Sequence, residues 1–195
     1  MMHIGITGGI GSGKSYVCRR LEAMGYPVYD CDAEAKRLLT ENTELVKAVK
    51  CLIGKDAYQG DVLNKAVVAQ FLFSSSEHAV QMNSLVHPVV RRDFVTWAAR
   101  QTSPVVFVET ALLFQAQFDS VCDRVWCVTA PLSVRLKRVM ERDGCTKKDV
   151  LNRQRQQLDD LEVQQRSDEI IFNDGKHDID KQIQLLISKL SSHLC

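Results

Sequence analysis

The apolar positions of this chain change period several times, and each change marks an element. Ile4 and Ile6 open an apolar, strand-like run that gives way at Gly8 to a glycine-rich turn. Val17, Cys18, Leu21 and Met24 then recur at helical spacing, and Gly25 follows where a helix end favours a residue free to go left-handed. Tyr26, Val28 and Tyr29 make a short second strand. It is expected as a parallel neighbour of the first, because the intervening helix is the crossover of a βαβ unit. Beyond residue 34 the period turns helical and stays so to residue 101: Leu38 and Leu39, then Leu45, Val46, Val49, Leu52 and Ile53, then Leu63, Val67, Phe71 and Leu72. Gly54, Gly60 and Ser74-Ser75-Ser76 punctuate this stretch, and no strand pattern interrupts it. Leu85-Val86-His87-Pro88 is expected to end one helix before Val90, Phe94, Trp97 and Ala98 define the next.

The second half returns to strands. Val105 to Glu109 is a continuous apolar run suited to a strand buried on both faces, and Val125, Cys127 and Val128 form another. A helix follows Pro131 and carries Arg135, Lys137, Arg138 and Arg142. Residues 143 to 168 are polar and rich in Arg, Gln and Asp, a composition that suits a mobile flap better than a core element. Glu169 to Phe172 reads as a strand, Asn173-Asp174-Gly175 as a turn, and Ile179, Ile183, Leu186, Ile187 and Leu190 as a final amphipathic helix. Strands alternating with helices place the chain in the α/β class, with a helical insertion between the second and third strands.

Composition narrows the field. A chain of 195 residues can build one sizeable core with insertions, and 45% apolar with 25% charged residues is ordinary for a globular protein. Basic and acidic side chains number 25 and 24, so no global basic field marks a nucleic-acid binder. Seven cysteines, at 18, 31, 51, 122, 127, 145 and 195, form no C-x-x-C pair and no zinc spacing, which reads as reduced thiols in the cytoplasm. No apolar stretch approaches the roughly 20 residues of a membrane span, and the N-terminus lacks the pattern of a signal peptide.

Chemistry concentrates in Gly8 to Ser15, which fits the phosphate-loop pattern G-x-x-x-x-G-K-[ST] between a strand and a helix. Glycine lets the backbone turn and approach an anion, so the N–H groups of Gly9, Ile10, Gly11, Ser12 and Gly13 can face phosphates at a helix N-terminus. Lys14 is positioned to reach the β- and γ-phosphates, and the Ser15 hydroxyl to ligate a bridging Mg2+. Asp30 and Asp32 close the second strand, at the carboxyl ends of the strands where ligands gather in such sheets. They are either turn and cap acids, with Asp32 capping the helix that follows, or a base for a hydroxyl that attacks the γ-phosphate. Their position relative to the loop favours the second. Glu109 ends a strand where nucleotide-binding proteins often keep a second acid near the metal, or is simply a strand-end acid in water. The basic helix can supply an arginine to transferred phosphate.

These residues together resemble the dephospho-CoA kinase family along nearly the whole chain. The resemblance rests on TGGIGSGKS at 7 to 15, Asp30 and Asp32, LVHPVV around His87, ALLF at 111 to 114, RDG-T at 142 to 146, Arg153, Gln157 and the SDEIIFNDG tail. It implies ATP-dependent phosphorylation of the ribose 3'-hydroxyl of dephospho-CoA by a three-layer P-loop fold with a five-stranded parallel sheet. It also implies a nucleotide-binding core over 1–33, 102–141 and 158–195, a helical CoA-binding domain over 34–101, and a lid over 142–157. By position Asp32 looks like the family's general base, with Asp30 close to the metal. Arg142 and Arg153 look like lid arginines, and His87 like part of the acceptor pocket. Tyr16, which also sits in the nucleotide site, departs from the family's common Thr, Ala111 from a Pro and Gln115 from a Glu. The implied partners are ATP, Mg2+ and a small-molecule acceptor, with no nucleic acid or membrane, in a monomer or weak homo-oligomer.

Overall fold

The computed structural model describes residues 1–191. In chain order its elements are β1 (Met2–Thr7), α1 (Lys14–Ala23), β2 (Val28–Asp30), α2 (Cys31–Glu41), α3 (Thr43–Ile53), β3 (Tyr58–Gln59), β4 (Val62–Leu63), α4 (Lys65–Ser74) and α5 (Ser76–Ala98). There follow β5 (Val105–Glu109), β6 (Arg124–Thr129), α6 (Leu132–Asp143), α7 (Lys147–Gln154), α8 (Asp160–Gln165), β7 (Glu169–Phe172) and α9 (Ile179–Ser191). The chain divides into two units, Met1–Tyr29 with Gln101–Cys195, and Asp30–Arg100.

The first unit is a three-layer α/β sandwich on a five-stranded parallel sheet in the order β2-β5-β1-β6-β7. Ile4 pairs in register with Phe107 and Ile6 with Trp126, which puts the most apolar strands at the centre. Phe107 and Trp126, with ring centroids 5.4 Å apart, pack with Ile4, Ile6, Val17, Leu21, Ile171 and Ile183 into the core beneath α1 and α9. Burying each such side chain contributes about 1.5–3 kcal/mol. Arg20 of α1 forks onto Asp180 of α9 at 2.7 and 2.5 Å, tying the two helices together.

The strand order corrects the expectation that β2 neighbours β1. The apolar β5, with Val105 to Val108 all buried, takes that place, and the three-residue β2, ending on exposed Asp30, goes to the edge. An interior position suits a strand that is apolar on both faces, and β5 is such a strand.

The second unit is helical, with two departures from the periodicity. Tyr58–Gln59 and Val62–Leu63 pair as a two-residue antiparallel hairpin around Gly60, too short to leave an alternating signature. Helix α5 does not stop at His87 but runs through Pro88 for 23 residues. Proline removes one helix hydrogen bond. The loss is carried by a stripe of buried residues on either side of it, Met82, Val86, Val90, Phe94 and Ala98, spaced by four along one face. Arg37 of α2 bridges Glu34, Glu41 and, on α5, Asp93, and the Tyr58 hydroxyl donates to the Leu39 carbonyl at 2.7 Å.

Candidate active site

The turn between β1 and α1 is shaped by close approaches of its glycines. At Gly8, with φ 141°, a Cβ would lie 2.1 Å from the Val128 carbonyl oxygen, and at Gly13, with φ 96°, 1.9 Å from Asn173 Nδ2. Both positions therefore require glycine twice over, for backbone conformation and for space. Gly13 leads directly into α1, so the first-turn N–H groups of that helix open at the mouth of the loop. The Lys14 ammonium lies back over the loop and donates to the carbonyls of Gly8 at 2.8 Å and Gly9 at 3.4 Å. The Ser15 hydroxyl donates to Glu109 Oε1 at 3.0 Å, so the strand-end acid of β5 stands beside the loop. A hydroxyl and a carboxylate so placed are hard oxygen donors of the kind Mg2+ takes, one or two from protein and the rest from water and phosphate. The described residues hold no cluster of three or more His, Cys, Asp or Glu with metal-ligand spacing, which such a sparse site does not require.

Elements far along the chain close the rest of the loop. Asn173, buried just after β7, donates through Nδ2 to the Ser12 carbonyl at 2.9 Å, and Arg138 of α6 reaches Asn173 Oδ1 at 3.3 Å. Gln157, between α7 and α8, accepts a hydrogen bond from the Ile10 N–H at 2.9 Å. Beside Gly13 an open recess of about 540 Å3 is lined by Tyr16, Arg138, Asn173, His177 and Asp180. Its walls offer an aromatic ring, a guanidinium and an amide. These suit a flat heteroaromatic group next to the phosphate loop.

The polar stretch 143–168 forms two short helices that each bury a valine, Val150 in α7 and Val163 in α8. Thr146 and Asp149 make a capping box that starts α7. Ahead of it, Asp143 accepts from Arg142 at 2.7 and 3.1 Å and from Arg153 at 2.6 Å. The bond from Arg142, then that from Arg153, pulls the Asp143 carboxyl down to about 2. Both expected lid arginines are thus gathered on one carboxylate, in the same unit as the loop.

Asp30 and Asp32 belong to the second unit, where their parts differ. Asp30 caps α2, its Oδ1 accepting from the N–H groups of Asp32 at 2.9 Å and Ala33 at 3.0 Å. The cap is therefore Asp30 and not Asp32. The Asp32 side chain is exposed and meets no hydrogen-bond partner among the described residues. His87 is half-buried on α5, and burial, reinforced by Arg91, pushes its pKa below the usual histidine value, so the ring is neutral near pH 7. Burial pushes the thiols of Cys122 up to about 12 and Cys127 to about 11, away from the reactive thiolate form, and the six described cysteines form no disulfide. Cys195 lies outside the described residues.

Residues 2–178 match the family model described as dephospho-CoA kinase. The chain belongs to the dephospho-CoA kinase family. It is 38% identical over 188 residues to a dephospho-CoA kinase of Bacteroides fragilis, covering 96% of this chain and 92% of that one. A crystal structure from Thermus thermophilus, 36% identical, superposes with a TM-score of 0.83 over 97% of each chain. A dephospho-CoA kinase structure from Campylobacter jejuni, 22% identical, shares the fold with a TM-score of 0.71 over 99% of this chain and 98% of that one. Asn173 and Arg138 join the loop without having been singled out for it, whereas Glu109 stands beside Ser15 as one of the two readings of that strand-end acid allowed. Arg138 was visible in sequence only as one of several basic residues on a helix. Asn173 looked like the first residue of a turn. The signal that could have found it is its place at the carboxyl end of a parallel strand, where such sheets assemble their sites.

Proposed function

We propose that this kinase-family chain transfers the γ-phosphoryl group of ATP to the ribose 3'-hydroxyl of dephospho-CoA, giving coenzyme A and ADP, the last step of coenzyme A synthesis. The observation that carries the reading is the phosphate loop with Lys14 across its mouth and Ser15 bonded to Glu109, in a chain that matches the family over residues 2–178. Phosphoryl transfer asks the protein mainly for positioning and for stabilisation of charge on the transferred oxygens. The N–H groups of Gly9, Ile10, Gly11, Ser12 and Gly13 hold the donor phosphates, and Tyr16 and Arg138 flank the base in the recess. Lys14 moves from the Gly8 carbonyl to the β- and γ-oxygens, exchanging a neutral acceptor for a charged one.

Ser15 and Glu109 would hold Mg2+, with Asp30 close to it, and the ion would neutralise charge on the β- and γ-oxygens. Asp32 takes the proton of the attacking 3'-hydroxyl. Among the described residues its carboxylate has no competing hydrogen bond, whereas Asp30 already serves two backbone amides. Arg142 and Arg153 leave Asp143 for the transferred phosphate, an exchange of one anion for a more highly charged one. The helical stretch 34–101, with His87, receives the acceptor, 142–157 acts as the lid, and 1–33, 102–141 and 158–195 form the nucleotide-binding core. The enzyme works in the cytoplasm, as a monomer or weak homo-oligomer. No described helix is long and apolar enough to cross a membrane.

The test is ADP release from ATP and Mg2+ with dephospho-CoA, adenosine, AMP or shikimate in separate reactions, each product weighed by mass spectrometry. Turnover confined to dephospho-CoA, with a product heavier by one phosphoryl group, is the expected result. Turnover with a different acceptor alone would keep the loop chemistry and remove the acceptor assignment.

A further inference from the structure

The arginines of α6 part company. Arg138 lines the recess and Arg142 joins Asp143, but Arg135 turns into the protein and is 4% exposed. Its guanidinium forks onto Asp160 at the start of α8, Nη1 to Oδ1 at 3.1 Å and Nη2 to Oδ2. This fork lies directly beneath the first turn of the phosphate loop. A Cβ on Gly9 would stand 2.1 Å from Arg135 Nη1 and 2.6 Å from Asp160 Oδ1, and one on Gly11 2.7 Å from the Arg135 carbonyl oxygen. Gly9, Ser12, Arg135 and Asp160 share the walls of one narrow gap under the loop. Two polar atoms there, Ser12 Oγ and Arg135 Nε, are buried without a hydrogen-bond partner among the described residues. Three residues before Asp160, Gln157 accepts from the Ile10 N–H.

Stability alone does not account for this arrangement. An ion pair with one partner buried, as Arg135 is while Asp160 keeps 34% of its side chain exposed, gains little over apolar packing of the same volume, and this one also tolerates two orphaned polar atoms. What an arginine–carboxylate fork supplies is fixed geometry, because two parallel hydrogen bonds set both distance and plane. Here the plane that is fixed is the floor on which Gly9 to Gly11 rest.

We propose that Arg135 and Asp160 are a positioning pair for the donor nucleotide: their fork holds the first turn of the loop in its anion-binding shape and ties the C-terminal root of the lid to that turn. This rests on the reading of the loop as the donor-phosphate site. Neither side chain touches a reacting atom, and both act through the backbone of Gly9 to Ile10. Nucleotide affinity is the property they set, more than the chemical step or acceptor binding. Truncating one partner also leaves an unpaired charge against the loop. Arg135→Met leaves a carboxylate that opposes phosphate, so it weakens ATP more than Asp160→Asn does.

The experiment is a double-mutant cycle with Arg135→Met, Asp160→Asn and the combined variant, reading ATP binding by calorimetry together with kcat, the KM of each substrate and the melting temperature. ATP affinity is expected to fall about tenfold or more in Arg135→Met and less in Asp160→Asn. The KM for dephospho-CoA should stay within about twofold, and the combined variant should bind no worse than Arg135→Met, since coupled partners are not additive. A pair that only staples α6 to α8 would lower the melting temperature while the folded variants bind ATP as the parent does, and that result overturns the proposal, as would additive losses. The unmutated protein is the control for the underlying reading: if it fails to bind ATP, the donor-site assignment falls first and this inference with it.

Discussion

The phosphate loop, Gly8 to Ser15, and the polar stretch from 143 to 168 meet where Ile10 donates to Gln157, yet they are specified in opposite ways. In the loop the backbone is the functional group, and glycine is needed at fixed positions because φ is positive and neighbours stand closer than a Cβ allows. Eight consecutive letters therefore carry both its shape and its chemistry. In the polar stretch the backbone is ordinary helix, and what matters is which side chain finds which partner 25 or 147 residues away, as Asp160 finds Arg135 and Gln157 finds Ile10. Local conformation writes a local pattern; a long-range pairing of common polar residues writes none.

The sharpest way to test that contrast is to remove function from one side and leave its shape. Lys14→Ala deletes the ammonium over the loop, and Asp32→Asn deletes the proposed base; each should reduce turnover by roughly 10²–10⁴ with the melting temperature nearly unchanged. The read-out is single-turnover rate beside a thermal melt. Near-parental rates from either variant would remove the assigned role.

Gly13→Ala is the next largest effect and attacks shape instead. The added carbon must occupy a φ of 96° and a point 1.9 Å from Asn173 Nδ2, so the Asn173 bond to the Ser12 carbonyl has to break or the loop has to move. Strain of this kind costs about 1–3 kcal/mol, and ATP binding should weaken with it. Paired denaturation and calorimetry would show both. If neither changes, the loop is more pliable than its glycines imply.

The same distinction explains which parts of the fold could be read ahead of the structure. β1, β5, β6, β7 and α9 were legible because apolar period alone defines them, and so was α1 through Gly25. The place of β2 at the sheet edge was not, since strand order depends on which strand can be covered on both faces, a property of β5 and not of β2. Pro88 reads as a helix stop when only backbone chemistry is considered. Residues 82, 86, 90, 94 and 98 outweigh it by packing along one face, and what they pack against is not written around the proline. At the site, Lys14 and Ser15 were evident from the motif, whereas Asn173 and the Arg135–Asp160 fork were not, because each depends on a contact between elements far apart in sequence. Composition alone pointed to a flap over 143–168, and it missed the two valines that give α7 and α8 something to bury.

Asp143→Asn probes the polar stretch on its own terms and should give the smallest effect. The carboxyl lies at about 2 in the folded protein against an ordinary 3.8, held down by the bonds from Arg142 and then Arg153. A carboxyl lowered by folding stabilises the native state while it is ionised. Its contribution is therefore full above about pH 4, declines as pH falls towards 2, and is gone below that. The Arg142 and Arg153 side chains are well exposed, so solvent screens the pair and the difference in melting temperature near pH 7 should be slight. What identifies the interaction is its shape with pH: parent and Asp143→Asn should differ at pH 5 to 7 and converge between about 4 and 2. Added salt should shrink the neutral-pH difference as well. With the carboxylate gone, Arg142 and Arg153 lose the anion that gathers them, so in their proposed lid role phosphate has less to displace but two freer side chains to order. These opposing effects should leave the KM for ATP within a few fold of the parent, and a difference in melting temperature that persists unchanged down to pH 2 would show that Asp143 stabilises the stretch by something other than its charge.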